Sequence, residues 1–219
     1  MPSRTKAINF AHNLIGLCRQ LDIGVESALT LGNQPLGHNI GPALEARETL
    51  EVLEGNGPKS VIEKSVELAG ILLEMAGLSP QSKGAKIAHD YIKTGKALTK
   101  FQEIVEAQGG DKDITSDKVE IGDNQYTVTA TNRGFISGIN NKYIQKILSA
   151  AGCPRDKLGG MILHKKIGEF VKSGDALYTI YTSSESKLTA AIQVARTRNP
   201  FTVEGMIVSR ISSISEKDI

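Results

Sequence analysis

The residues best placed to do chemistry lie in a glycine-rich loop, GNQPLGHNIG, directly before Pro42. Glycine-rich loops at helix N-termini can cradle phosphate with backbone N–H groups. Here, however, Gly37 is followed by His38 and Asn39 instead of the lysine and hydroxyl residue of a P-loop, and the dinucleotide-binding pattern GxGxxG is missing. The spacing therefore favours a tight structural loop, or one that holds a cation through carbonyl oxygens and a carboxylate.

The helix that follows this loop also argues against direct phosphate binding. Pro42 is typical of the first position of a helix. Glu45 and Glu48 fall early in this helix, where they stabilise its positive N-terminal end and repel an incoming phosphate.

Histidine and cysteine form no recognisable catalytic or metal-binding motif. The histidines are His12, His38, His89 and His164. None is paired at metal-ligand spacing, and no Ser-His-Asp or Cys-His arrangement can be proposed from spacing. We expect His12 and His89 on helix surfaces and keep His38, in the glycine loop, as a candidate. Cys18 falls on an apolar helical stripe, which indicates a buried free thiol.

The composition is that of an ordinary globular chain, with 40% hydrophobic and 23% charged residues among 219. A net charge of +2 and an aromatic content of 5%, without tryptophan, argue against a nucleic-acid-binding surface. No apolar run approaches the ~20 residues that a membrane span needs. The N-terminus has no secretory hydrophobic region, so we predict a cytoplasmic protein without a membrane partner.

Hydrophobic periodicity predicts a mostly helical first half. A helix over residues 3–21, N-capped by Ser3, precedes an alternating segment that predicts a strand at residues 25–31. Four further helices follow between Pro42 and Gly109. Because one strand cannot form a sheet, we expect its partner strands to lie outside this chain.

The second half mixes short strands with helices, as in a compact α+β module. The predicted elements are strands at 125–131 and 133–139 joined as a hairpin, a helix at 140–152, strands at 159–166, 169–171 and 176–182, a helix capped by Ser183 or Ser184, and a strand at 200–212. The predicted secondary structure changes from mostly helical to mixed at a Gly/Asp/Lys-rich stretch near residues 109–117. We therefore predict two domains, at residues 1–112 and 113–219.

One stretch of the second half resembles the second half of a biotinyl or lipoyl hammerhead domain. Gly174 and Asp175 form its turn, and Val171, Leu177 and Ile180 fill a small sandwich. A covalent carrier would also need an exposed lysine at a hairpin tip, where this sequence predicts a helix. Lys165 and Lys166 are interpreted as solvated strand ends.

The run GNQPLGHNIGPALEARETLEVLEGNGP resembles the loop–helix segment of the thymidine/pyrimidine nucleoside phosphorylases. Its Ile40-Gly41-Pro42 version, followed by VELAGILLEMAG, is similar to the archaeal branch of that family, the AMP phosphorylases. ATNRGFISGIN and GMILHKKIGEFVKSGDALYTIY resemble the same branch. The resemblance covers essentially the whole chain but only the C-terminal half of such an enzyme.

The resemblance implies the end of the phosphorylase α/β domain followed by a barrel-sandwich, hammerhead-like α+β domain. It implies a parent enzyme that splits nucleosides or nucleoside monophosphates with phosphate as co-substrate, with no covalent cofactor and as a homo-oligomer. The catalytic acid, the phosphate-binding segment and a substrate-binding lysine would precede Met1. We therefore expect no catalytic residue here, an inactive chain, and Met1 and His38 as the nearest substrate-binding candidates.

The resemblance also implies part of a monovalent-cation site, with carbonyl ligands at Leu36 and Asn39 and the carboxylate of Glu48. Two alternatives stay open. One is a thymidine or pyrimidine nucleoside phosphorylase, and the other is a non-catalytic carrier or assembly module.

Overall fold

The computed structural model describes residues 3–207 and Ser209, which fall into two compact units. The first unit combines residues up to 32 with residues 48–116, and the second combines residues 33–47 with those from 117 onward. The glycine loop thus belongs to the same unit as the C-terminal residues. The predicted single boundary at residue 112 does not include this grouping. Met1 and the end of the predicted last strand lie outside the described residues.

The first unit is helical, as predicted. The helices are α1 (Arg4–Gln20), α2 (Pro42–Leu53), α3 (Lys59–Met75), α4 (Gly84–Lys93) and α5 (Lys96–Ala107). Ser3 caps α1 by accepting a hydrogen bond from the Lys6 N–H, which confirms the predicted start. The helix α2 begins at Pro42 in the second unit and ends in the first.

The strand predicted at residues 25–31 is wrong, because this segment has no regular structure. A strand is stabilised by hydrogen bonds to a neighbouring strand, and none of the described strands pairs with it. Its apolar side chains remain exposed, with Leu29 at 48% and Leu31 at 88%. The alternation of apolar and polar residues therefore occurs here in a segment that joins no sheet.

Close backbone contact joins α3 to α4. A Cβ on Gly84 would lie 2.1 Å from the carbonyl oxygen of Gly70, so only glycine fits at this crossing. The first N–H of α4, from Gly84, donates to the Glu74 carboxylate at 2.8 Å. This bond satisfies one of the N–H groups that a helix start leaves unpaired.

The second unit contains two antiparallel sheets. Its strands are β1 (Asn39–Ile40), β2 (Asn124–Thr129), β3 (Gly134–Ile139), β4 (Gly160–Leu163), β5 (Phe170–Val171), β6 (Ala176–Thr182) and β7 (Phe201–Glu204). One sheet has the order β1-β4-β6-β2 and the other β5-β3-β7. The mixed α+β class is as predicted, and the predicted strand positions largely hold.

The predicted pairing of β2 with β3 as a hairpin is wrong. β2 pairs with β6, whereas β3 pairs with β5 and β7. The alternation of both segments is real, but the chain moves from one sheet to the other between residues 129 and 134. Buried residues of both sheets then belong to one hydrophobic core.

The core of the second unit lies between the sheets and two helices, α6 (Asn141–Ala150) and α7 (Glu185–Thr197). Val171, Leu177 and Ile180, which the sequence placed in a small sandwich, are at most 1% exposed. Tyr178 stacks on Phe201 with ring centroids 5.6 Å apart. Burial raises the pKa of Tyr178, and the charge of Tyr126 adds to this effect.

We predict that Gly84→Ala destabilises the first unit by about 1–3 kcal/mol or more, because the added methyl group meets backbone atoms that cannot move aside. Gly16→Ala is the control, since a Cβ there meets nothing within 4 Å. It should leave stability unchanged or raise it by up to about 1 kcal/mol, because alanine favours helix over glycine. Urea unfolding followed by circular dichroism measures both, and equal stabilities would contradict the packing argument.

The hydroxyl group of Tyr178 gives a second prediction. It is buried and has no hydrogen-bond partner among the described residues. Tyr178→Phe should therefore raise the free energy of unfolding by about 1 kcal/mol, because the ring stays in place and an unsatisfied polar group is removed. The measurement is the urea midpoint. A loss of stability would show that the hydroxyl group has a partner in solution.

Candidate functional site

The glycine loop is attached to the second unit by backbone pairing with β4. Asn39 and Ile40 pair with Ile162 and Met161. The Leu163 N–H donates to the His38 carbonyl at 2.8 Å, which extends the pairing by one step. The loop is therefore a short edge strand with a structural role, as the absence of a P-loop lysine predicts.

The backbone conformation and close packing at position 41 require the glycine that ends the loop. Its φ is +120°, and a Cβ would lie 2.5 Å from the carbonyl oxygen of Gly159. Its N–H donates to Glu45 Oε1 at 3.0 Å, and the Ala43 N–H donates to the carbonyl of Lys157 at 3.1 Å. These N–H groups at the start of α2 are thus bonded within the protein, which supports the prediction that the loop alone does not bind phosphate.

The interpretation of Lys166 as a solvated strand end is wrong. Its Nζ donates to the carbonyl of Pro35 at 2.5 Å and also to the carbonyl of Gly37. The neighbouring Ile167 N–H donates to the side-chain oxygen of Gln34 at 2.9 Å. Two carbonyls of this loop are therefore bonded to a lysine ammonium.

Two histidines lie at the base of the loop. His38 Nδ1 is 2.8 Å from the Leu163 carbonyl, and His164 Nε2 is 2.7 Å from Thr179 Oγ1, which in turn meets Thr127 Oγ1 at 2.8 Å. Partial desolvation of the His164 ring, on a residue that is still exposed, lowers its pKa, and the charge of His38 lowers it further. The structure thus places His38 among structural hydrogen bonds on β4.

The predicted cation ligands occupy different surroundings. Leu36 and Asn39 belong to the loop of the second unit, and the Leu36 side chain is 42% exposed. Glu48, only 7% exposed, lies on α2 where the chain has entered the first unit. The cation site stays a prediction. His12 and His89 are exposed on their helices, as predicted.

A polar cluster surrounds Asp156, and no motif in the sequence indicates it. The Asp156 carboxylate accepts hydrogen bonds from Ser183 Oγ at 2.6 Å and Lys187 Nζ at 2.9 Å, as well as from the Leu158 N–H. Burial would raise the pKa of Asp156, but these hydrogen bonds outweigh it and lower the pKa to about 2. Ser184, one of the two predicted caps, caps α7 beside this cluster.

The two cysteines, Cys18 and Cys153, are free thiols that form no disulfide. Burial, followed by the charges of Asp156 and Glu45, raises the pKa of Cys153 to about 11. Its thiol is therefore protonated and weakly nucleophilic at neutral pH. Cys18 is only partly buried, and α1 contains no buried residue, so the predicted buried thiol is wrong.

The first unit contains an apolar cavity of about 590 Å³ between α2, α3 and α4. Its walls include Thr49, Ser65 and Tyr91 but no charged side chain. Over residues 3–207 and Ser209, no group of three His, Cys, Asp or Glu side chains could hold a metal ion. In the same range, no helix is both long and apolar enough to cross a membrane.

Comparison with known proteins defines the class first. Residues 135–201 match the pyrimidine nucleoside phosphorylase C-terminal domain. The chain is 48% identical to an AMP phosphorylase of Thermococcus kodakarensis over 95% of its length, and 45% identical to one of Methanosarcina acetivorans over 98%. It spans 42% of the length of each relative. The resemblance to the C-terminal portion of archaeal AMP phosphorylases is confirmed.

His164 makes stability depend on pH. Its folded pKa lies below the ordinary histidine value of about 6.5, so the unfolded chain binds the proton more readily. Stability is therefore complete above pH 6.5 and falls as the pH drops towards the folded pKa. We expect His164→Gln to lose less stability than the wild type when urea midpoints at pH 7.5 and 5.5 are compared.

His12→Gln, on the exposed surface of α1, is the control and should reproduce the wild-type response. If His164→Gln lost as much stability as the wild type over this range, protonation of His164 would not be the cause.

Proposed function

We propose that this chain forms the C-terminal portion of a nucleotide phosphorylase of the AMP phosphorylase type. In the proposed reaction, orthophosphate attacks C1′ of AMP, CMP or UMP, the bond from C1′ to the base breaks, and ribose 1,5-bisphosphate and the protonated free base result. The observation that carries the proposal is the 48% identity with an AMP phosphorylase over 95% of the chain, which spans both units.

The reaction needs a held phosphate and an acid for the leaving base, because its transition state is oxocarbenium-like. Neither group is evident in the described part of this chain. The N–H groups of Gly41, just before α2, and of Ala43, in its first turn, are bonded to Glu45 and to the Lys157 carbonyl, and the cavity of the first unit is apolar. We place these groups in the polypeptide that makes up the rest of the relatives' length, and expect this chain alone to be inactive.

Exposed apolar side chains support an assembly with further polypeptide. No residue of α1 is buried, and Phe10, Leu17 and Leu21 are each more than half exposed. Several exposed apolar side chains on one helix are typical of an interaction site. We propose that α1 and residues 25–31 are covered by the remaining portion of the enzyme, and that the complete enzyme is a homo-oligomer.

Two further parts of the proposal concern ligands. The carbonyls of Leu36 and Asn39 and the carboxylate of Glu48 would contribute to a monovalent-cation site, completed by ligands from the rest of the enzyme. A nucleoside in place of a nucleotide is the alternative substrate, and it is supported by the match of residues 135–201 to a pyrimidine nucleoside phosphorylase domain.

The proposal is tested by replacing the corresponding segment of the Thermococcus kodakarensis AMP phosphorylase with this chain. We expect the chimera to phosphorolyse AMP, whereas the chain alone should show no turnover above a heat-killed control. A matched chimera built on a pyrimidine nucleoside phosphorylase and assayed with uridine tests the alternative. The parent whose activity is better retained identifies the substrate class.

Two glycines provide internal controls for the chimera. Gly41→Ala places a methyl group against Gly159 and should strongly reduce turnover, whereas Gly32→Ala meets nothing within 4 Å and should not. A folded AMP phosphorylase chimera without activity would contradict the proposal. A biotinyl or lipoyl adduct in the intact mass of the chain would favour a carrier module instead.

A further inference from the structure

The carbonyls of the glycine loop converge on one ammonium group. Lys166 Nζ donates to the carbonyl oxygens of Pro35 and Gly37, two residues apart in the loop. Gly37 is buried, and its φ is +68°. A buried carbonyl that has no regular sheet or helix partner needs another donor or a cation, because leaving it unpaired is costly.

The backbone that carries Lys166 is itself fixed. The Lys166 N–H donates to the Glu169 carboxylate at 2.5 Å, and the next N–H, from Ile167, donates to the Gln34 side chain at 2.9 Å. The side chain therefore extends from a restrained position towards the loop. This restraint reduces the conformational entropy lost when the ammonium binds the two carbonyls.

Charge and chemistry both suit this arrangement. An ammonium group is a compact point charge with three donors, and carbonyl oxygens are the ligands that hard cations prefer. Charge-assisted hydrogen bonds are roughly twice as strong as neutral ones. Lys165, the neighbour of Lys166, has the same charge and provides a comparison.

We propose that the carbonyls of Pro35 and Gly37 form a monovalent-cation site whose resident cation is the ammonium of Lys166. Lys166 is then a positioning residue. Its ammonium group holds the loop in the conformation seen here, and no metal ion from solution is needed. This site uses other carbonyls than those of Leu36 and Asn39, and it does not depend on the proposed function. Removing the ammonium should leave a site that accepts free ammonium ion.

The test is chemical rescue of Lys166→Met, with Lys165→Met as the matched control. The reporter is hydrogen exchange of the Ile167 amide, which donates to Gln34 across the loop. In Lys166→Met this exchange should be about tenfold faster, as expected when hydrogen bonds to a charged group are lost. Ammonium chloride should restore protection, whereas tetramethylammonium chloride at equal ionic strength should not.

Unchanged exchange in Lys166→Met, or faster exchange that ammonium does not slow, would overturn the proposal. The second outcome would make Lys166 a tether and not the occupant of a cation site. If Lys166→Met does not fold, the wild-type chain decides the question. Couplings across the hydrogen bonds, from Lys166 ¹⁵Nζ to the ¹³C carbonyls of Pro35 and Gly37, should be detectable by NMR, and their absence would overturn the assignment.

Discussion

The second unit depends on a close approach of two backbones, at Gly41 and at Gly159–Gly160. A Cβ on Gly41 would lie 2.5 Å from the Gly159 oxygen, and a Cβ on Gly160 would lie 2.6 Å from the Ile40 oxygen. Because neither position accommodates a side chain, the loop can pair with β4 and α2 can start directly beside it. Leu44, fully buried, then packs against Gly160.

The features that the sequence predicts well are those determined by neighbouring residues. Helix starts follow from a capping hydroxyl or a proline, as Ser3, Pro42 and Ser184 show. The buried positions of the small sandwich are close together in the chain, since Leu177 and Ile180 both lie on β6, whose residues 177–180 are all buried. Turn glycines with positive φ, such as Gly174, belong to the same group.

The features that the sequence does not predict depend on residues far apart in the chain. Alternation identifies a strand but not its partner, so the sequence predicts one hairpin for β2 and β3, which in fact pair in different sheets. The segment at 25–31 has the composition of a strand but pairs with no strand of the described chain. Lys166 and Asp156 are ordinary polar residues in sequence, and their roles arise from partners that folding brings together.

The glycine loop resembles a phosphate-binding loop in sequence, but its hydrogen bonds are made within the protein. These bonds give it a structural role in the second unit. An anion site needs unpaired N–H groups, and those of Gly41 and Ala43 are already bonded. Two of the loop's carbonyls are bonded to Lys166. A loop fixed in this way from both its donors and its acceptors loses little entropy when a partner binds, because its conformation is set in advance. Such preorganisation agrees with the proposal that the reactive groups come from polypeptide beyond this chain.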